Sequence, residues 1–418
     1  MVLVSKGPLG GTCLNEGCIP TKTICRSAEI ADTFAEAEAF GFDNVHYNLD
    51  YSRVLERKDA VVAQLREGVA TLLKHPNISV VHGTAALRDA HTVVVDGKYE
   101  VQSDRIIIAA GSVSASLPIE GAGLATDSAG ILSMDKLPRR LAVIGGGVIG
   151  LEFASVFNSF GSEVTVLEYF PSILPRFDSD ISKRLKLSLS KKGIKINTSA
   201  QVTGIGKTDD GLEVKYSLKG AEQSVTADVV LMAVGRRPAV EGLGLEAAGI
   251  DFSRRGIVVD ENMETNLKGV YAVGDVTGGM MLAHAASWQG LKALDHIFGR
   301  ADSIDLSLVP AAVFTRPEVA MAGRTEDELK ESEIAFKVYK SFFRANGKAV
   351  SMGETDGLCK MLAGEDGCIL GCHIYGPHAS DLIAEVTALI AKGTTMDELA
   401  DIIHAHPTLS ELVSACAR

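Results

Sequence analysis

The sequence predicts an α/β chain with two Rossmann-like, doubly wound units, the first incomplete at its N-terminus, and a closing α+β module. Three observations predict it. Leu141–Ile144 is a buried-strand run that enters Gly145-Gly146-Gly147-Val148-Ile149-Gly150, and a second run, Glu163–Glu168, ends in an acid. Two more apolar runs, Arg105–Ala109 and Gly269–Val273, also stop at glycine. From about residue 308 strand-like runs come first and helical runs after. The expected units are 1–116 completed by 241–307, then 117–240, then 308–418.

Size and composition narrow the classes. A length of 418 residues suits two to four domains. The formal net charge of −12 argues against nucleic acid or an anionic membrane surface as partner. No apolar run reaches the roughly 18 residues of a membrane span, and Met1–Lys6 lacks the makings of a signal peptide. Seven cysteines in this length do not read as a secreted disulfide framework, so a cytoplasmic location is expected.

Taken in order, Val2–Val4 reads as the second strand of a nucleotide-binding unit whose first strand and glycine-rich turn are expected before it. Ser5 stands where a ribose-holding acid is usual, and a truncated start is therefore expected. Cys13 and Cys18 lie five positions apart in Gly10–Lys22, a segment rich in glycine. A regular helix would hold such a pair roughly 8–9 Å apart at Cα. A disulfide allows only about 4.4–6.8 Å. If the two pair, the chain between them is not regular helix, and Gly17 supplies the freedom. Pro20 suits the first turn of a helix to about Phe40, and a thiolate at a helix start has a lowered pKa. The plainer reading is two reduced cysteines packed as small hydrophobes.

Residues 52–74 read as a helix with Val54, Val61, Leu65, Val69, Leu72 and Leu73 near one face. Short strands follow at 78–82, 92–95, 100–101 and 105–109, the last entering Ala110-Gly111-Ser112. In the 141–168 unit, strand, glycine turn, helix and acid stand at the spacing of a dinucleotide site. Gly145 makes the turn, Gly147 admits a pyrophosphate at the helix start, and Gly150 permits close helix–strand packing. Glu168 suits a ribose diol and repels a 2′-phosphate, so NAD is expected over NADP. Glu152 reads either as an exposed helical carboxylate or as a functional one.

Strands 195–197, 213–217 and 228–233 follow, with Val202 on the intervening turn and Gly235 at the exit. Gly274-Asp275 ends the next strand, where Asp275 serves either as a turn or cap residue or as a polyol acceptor, and Met281-Leu282-Ala283-His284 opens a helix. Cys368, Cys372 and His373 read as core and edge residues, because positions 372 and 373 of a strand face opposite ways, and no metal site is expected. Near the end, Thr408-x-x-Glu411 reads as a capping box, or Glu411 orients His406 as a proton shuttle.

The segment Gly10–Lys22, GGTCLNEGCIPTK, resembles the redox-active segment of the flavin-dependent disulfide reductases. HPTLSE at 406–411 resembles the C-terminal end of the dihydrolipoyl dehydrogenases within that family, and the likeness runs through essentially the whole chain. Glutathione reductases would want basic residues at Tyr169 and Phe170, and mercuric reductases a paired-cysteine tail where Cys416 is single. The resemblance implies a Cys13–Cys18 redox disulfide, a Lys22–Glu152 pair beside a flavin, and a C-terminal dimerisation domain. It implies FAD held by Gly83, Ala110, Gly111, Ser112, Gly274, Asp275 and the 281–284 segment. NAD would be held by Gly145, Gly147, Val148, Ile149, Gly150, Leu151, Glu168, Val202 and Gly235.

The implied reaction oxidises dihydrolipoamide on a lipoyl-carrier domain of a 2-oxo acid dehydrogenase or glycine cleavage complex, with a homodimer bringing His406 and Glu411 to the other subunit's disulfide. The rival reading is a chain that holds NAD alone and is inactive, or a flavin reductase of another disulfide.

Overall fold

The computed structural model describes residues 1–418. The first unit comprises β1 (Val2–Ser5), α1 (Gly11–Glu16), α2 (Cys18–Ala35), α3 (Tyr51–Leu72), β2 (Ser79–His82), β3 (Ala85–Leu87), β4 (Thr92–Val95), β5 (Tyr99–Gln102), β6 (Ile106–Ile108) and β7 (Ser112–Ser114). The second holds α4 (Ser128–Leu132), β8 (Arg140–Ile144), α5 (Val148–Ser159), β9 (Glu163–Glu168), α6 (Ser179–Lys191), β10 (Lys195–Thr198), β11 (Ala200–Thr208), β12 (Gly211–Leu218), β13 (Ala221–Ala227), β14 (Val229–Met232) and β15 (Arg236–Pro238). The chain returns to the first unit with α7 (Leu245–Ala248), β16 (Phe252–Ser253), β17 (Gly256–Ile257), β18 (Val270–Ala272) and α8 (Ala283–Ile297).

The C-terminal module is β19 (Ala311–Val313), β20 (Glu318–Gly323), α9 (Glu326–Glu331), β21 (Phe336–Phe342), α10 (Gly347–Met352), β22 (Leu358–Gly364), β23 (Ile369–Gly376), α11 (Ala379–Ala391), α12 (Met396–Ala400) and α13 (Glu411–Ala415).

The second unit is a parallel sheet in the order β10-β9-β8-β14, with Leu141 between Val164 and Val229. Its inner strand β8 and its edge strand β14 are nearly continuous apolar runs, as strands covered on both faces require. Helix α5 buries Leu151, Phe153, Ala154, Val156 and Phe157 and so is apolar nearly all round. The antiparallel sheet β11-β12-β13 carries the crossover. In the first unit β1 pairs in parallel with β2, and β6 with β18. Antiparallel β7 and β15 tie the two units together, Ser112 opposite Pro238. The C-terminal sheet runs β19-β20-β23-β22-β21.

One core places the site. Ile24, Cys25 and Ala28 of α2 pack in the same buried cluster as Leu151 and Phe157 of α5 and Val313, Leu358 and Tyr375 of the C-terminal module. Each large apolar side chain so buried contributes on the order of 1.5–3 kcal/mol. No helix is long and apolar enough to cross a membrane.

Three sequence expectations are corrected here. Helix α3 turns Tyr51, Val54, Lys58 and Val62 inward, while Leu65 and Leu72 are exposed. Lys58 lies along the apolar stripe and its ammonium donates to Leu132 O at 2.9 Å. Val202 lies within the nine-residue strand β11 rather than on a turn, its side chain buried with Ala142 and Ile144. The helix expected to reach Phe40 ends at Ala35, and Ala37–Phe40 continue as a single 3-10 turn.

Candidate active site

Cys13 and Cys18 form a disulfide with their Cα atoms 4.7 Å apart. The segment is more helical than the spacing argument requires: Cys13 sits in the middle of α1 and Cys18 is the first residue of α2. The break falls entirely on Gly17, whose φ of −137° and ψ of −111° leave the helical region. A Cβ there would press on Thr12 O at 3.0 Å and on Cys13 Cα at 3.2 Å, so a side chain at this point would crowd the α1 backbone. Thr21 N and Oγ1 both donate to Gly17 O, which fixes the restart. Cys18 therefore stands where the amide groups of α2 are unpaired, and they favour its thiolate once the bond opens.

One turn on, the Lys22 ammonium reaches both oxygens of Glu152, 2.9 and 2.8 Å away. Glu152 is 3% exposed, which removes the reading of a solvated helical carboxylate. Its Oε1 also accepts from Phe314 N–H at 2.9 Å, and Lys22 lies 4.4 Å over the Phe314 ring. Cys25, a further turn along α2, is pushed up to about 12 by burial and, next, by the nearby Glu152 charge. It is an inert thiol at neutral pH.

The glycine turn after β8 fits a dinucleotide. Gly145 has φ +111°, and a Cβ at Gly150 would collide with the Gly145 carbonyl oxygen. A Cβ at Gly147 would meet nothing within 4 Å, so the start of α5, through Val148, Ile149, Gly150 and Leu151, is open to a phosphate. Glu168 at the end of β9 is 5% exposed, and its carboxylate accepts from Gly146 N–H and from Phe170 N–H. Two oxygens held by main chain keep lone pairs for a ribose diol. Gly235 follows β14 with φ +115°.

The first unit gathers a second set. Ser112, after Ala110 and Gly111, donates its hydroxyl to Asp275 and accepts from Arg236 Nε at 2.7 Å. Gly274 has φ +75° and donates its N–H to Gln289 Oε1 at 2.6 Å. Asp275 is the second residue of a 3-10 turn, Gly274–Thr277, and Met281-Leu282 leads into Ala283, the first residue of α8, with His284 Nε2 2.8 Å from Pro310 O. Carboxylate, hydroxyl and guanidinium together fit the polyol chain of FAD. Gly83 stands apart, at the end of β2, donating to Ser5 O.

At the C-terminus, His406 Nδ1 lies 2.9 Å from Glu411 Oε1, and Glu411 Oε2 accepts from Thr408 N–H at 2.9 Å. Only half of a capping box forms, because the Thr408 hydroxyl donates back to Ala405 O. Cap and dyad are thus made by the two oxygens of one carboxylate. The Thr408 amide first, then His406, hold the Glu411 carboxyl below its ordinary range. His404 is turned inward against Glu385 at 2.7 Å.

Arg236, Gln289 and Phe314 were missed from the sequence. The first follows a recognised strand exit and was readable as a crossing residue; the others act over distances no local pattern carries.

Comparisons agree with this geometry. A Bacillus subtilis dihydrolipoyl dehydrogenase is 39% identical, matching all of this chain and 90% of its own length. That of Chlamydia muridarum is 39% identical over 98% of this chain and 89% of its own. Among solved structures, the HOCl-induced flavoprotein disulfide reductase RclA of Escherichia coli superposes with a TM-score of 0.89 at 31% identity, covering 100% of this chain and 93% of that one. LpdA of Mycobacterium tuberculosis gives 0.91 at 26%, again covering 100% and 93%. The model of the pyridine nucleotide-disulphide oxidoreductases matches residues 1–290 and that of their dimerisation domain residues 309–416. With both models matched in order around one disulfide-headed helix, the chain belongs to the pyridine nucleotide-disulphide oxidoreductase family.

Proposed function

We propose that the chain is a dihydrolipoyl dehydrogenase, oxidising dihydrolipoamide on a lipoyl-carrier domain of a 2-oxo acid dehydrogenase or glycine cleavage complex and reducing NAD+ to NADH. The observation that carries it is the Cys13–Cys18 bond at the head of α2, in a chain 39% identical throughout to an enzyme of that name. The family's cofactors are FAD and NAD(H). Residues 1–116 with 241–307 are read as holding FAD through Asp275, Ser112, Gly274, Gly111, Ala110, Gly83 and Met281–His284. Residues 117–240 are read as holding NAD through Gly145, Gly147–Leu151, Glu168, Val202 and Gly235. The C-terminal module is a dimerisation domain, which supports a homodimer. We place the protein in the cytoplasm, where the five cysteines outside the pair stay reduced.

In the reaction one substrate thiol loses its proton to His406 Nε2, Glu411 holding the proton on Nδ1. The thiolate attacks Cys13 sulfur, the Cys13–Cys18 bond breaks, and Cys18 leaves as a thiolate facing the α2 amides. The second substrate thiol attacks the mixed disulfide, lipoamide departs, and Cys13 takes up a proton. FAD, when bound, supplies the two-electron relay from the reduced pair to the nicotinamide. Lys22, anchored by Glu152, would supply a fixed positive charge to the bound flavin.

The test is NADH formation from dihydrolipoamide and NAD+ by the purified, flavin-containing protein, with Cys18→Ser alongside. Turnover is expected only with both cysteines in place. A Cys18→Ser protein with undiminished turnover removes the assignment, and a protein that takes up no flavin favours an NAD-binding, inactive chain.

A further inference from the structure

Helix α2 and its C-cap residue carry a stripe at alternating spacings of four and three: Cys18, Lys22, Cys25, Glu29, Asp32 and, at the cap, Glu36. That spacing puts them on one helix face. Along the face runs Phe314–Arg316, the segment that leaves β19 for β20. At the near end Phe314 N–H holds Glu152 and its ring lies under Lys22. In the middle Cys25 Sγ lies 3.7 Å from Phe314 O, and Arg316 N–H donates to Ser155 Oγ at 3.3 Å.

At the far end the Arg316 guanidinium gathers α2 and the C-terminal module. It donates to Glu29 O at 3.2 Å, to Glu36 at 3.1 Å and to Glu354 at 3.2 Å, and lies 3.6 Å from Asp32. Its side chain is 23% exposed. A fork of donors with several acceptors fixes direction as well as distance.

We propose that Arg316 is a positioning residue for the Lys22–Glu152 pair: it clamps Phe314–Arg316 along α2, so that the Phe314 amide and ring hold the carboxylate and the ammonium in one place. Phe314, Arg316 and Glu354 all belong to the dimerisation module, so through Glu29 O, Asp32 and Glu36 the same clamp ties that module to α2. The inference rests on the proposed function for the purpose of the pair, but the clamp itself is tested without substrate or cofactor.

The measurement is the rate at which acetic anhydride acylates the Lys22 amine, read by mass spectrometry against the other lysines. Arg316→Met removes the donors and keeps the apolar stem. It is expected to raise Lys22 acylation about fivefold, the effect of losing roughly one net hydrogen bond, and Arg316→Lys to restore part of the protection. In Glu152→Gln, where Lys22 is already released, adding Arg316→Met should change nothing more. Lys192→Met, which removes the other partner of Asp32 at 3.6 Å, is the control for general loosening and should leave Lys22 protected. Should Arg316→Met not fold, Glu36→Gln and Glu354→Gln probe the clamp from its acceptors, with smaller effects of the same sign. Unchanged Lys22 acylation in the clamp variants, or effects of Arg316→Met and Glu152→Gln that simply add, overturns the proposal. Dihydrolipoamide turnover by the unmutated protein, read separately, tests only the proposed function.

Discussion

His406 and Glu411 share one hydrogen bond of 2.9 Å on the protein surface, the imidazole 77% exposed and the carboxylate 29%. The exposed ring is free to serve another surface, and the carboxylate is fixed by its second bond, to Thr408 N–H. Glu411→Ala should therefore lower dihydrolipoamide turnover by roughly ten- to a hundredfold, part of the effect of general base catalysis. NADH-driven reduction of ferricyanide, which needs no thiol proton transfer, should be unchanged. Glu411→Gln keeps an acceptor for Thr408 N–H and should lose turnover without loss of melting temperature. Equal losses in both assays would assign Glu411 to the cap alone.

A buried ion pair, Lys360 with Asp178, joins the second unit to the C-terminal module. Lys360, 1% exposed in its side chain, reaches Asp178, 0% exposed, at 2.7 Å, and Glu326 at 2.6 Å. Burial works against the Lys360 charge, yet the hydrogen bonds to Asp178 and Glu326 outweigh it and raise its pKa. Lys360→Met should cost about 3–5 kcal/mol, because Asp178 is left as an uncompensated buried charge. Glu326, held first by Lys330 and then by Lys360, is lowered from 4.5 to about 2. Its contribution to stability is fully present above pH 4.5 and disappears as the pH falls toward 2. Over that window the unmutated protein should lose more stability than Glu326→Gln does. Parallel acid-unfolding curves would contradict the assignment.

Where the sequence was legible, one local pattern sufficed. Leu141 to Glu168 shows strand, glycine turn, helix and acid within one stretch, and each is found where the pattern puts it. The dyad was legible because His406 and Glu411 share one turn. Helix α3 misled because only a narrow stripe of it touches the core, and Lys58 supplied apolar length that its charge conceals. Val202 was set on a turn because Gly204 and Gly206 interrupt the alternation of a strand whose pairing with β12 itself shifts register between Val202 and Gly204. Strands β7 and β15 are three residues each, too short for any period, and their pairing is a tertiary fact. The partner of Glu152 lies 130 residues away, so its burial could be read only once α2 and α5 were packed.

Gly150→Ala tests the close packing beneath the turn. The added methyl would run into the Gly145 carbonyl oxygen and lie 3.1 Å from Val143 Cγ1, so strand β8 and helix α5 must separate. An overpacking cost of about 1–3 kcal/mol is expected, together with weaker NAD+ binding, since the same shift moves the start of α5. Gly161→Ala is the comparison: unlike Gly150 it has positive φ, +95°, with open space around it and no place in the turn. Calorimetry and NAD+ titration should show both losses for position 150 and a loss of stability alone for position 161.

On the proposed function, Glu168 is the group expected to choose between NAD+ and NADP+. Its carboxylate is buried at the end of β9, held by two main-chain N–H groups, and beside it Tyr169 and Phe170 are exposed and themselves uncharged. A 2′-phosphate brought there would face a fixed negative charge, and only a ribose with both hydroxyls can donate to it. Replacing the group by Ala removes the acceptor and the repulsion together, so kcat/KM for NAD+ should fall by roughly tenfold or more, the size of a lost hydrogen bond to a charged group. For NADP+ it should rise or hold, because the repulsion is relieved. Glu168→Gln separates the two effects: it keeps an acceptor oxygen and loses the charge, and should keep more of the NAD+ rate than Ala does while still relaxing discrimination. A ratio of the two kcat/KM values that stays constant across all three proteins would mean that some other group reads the ribose.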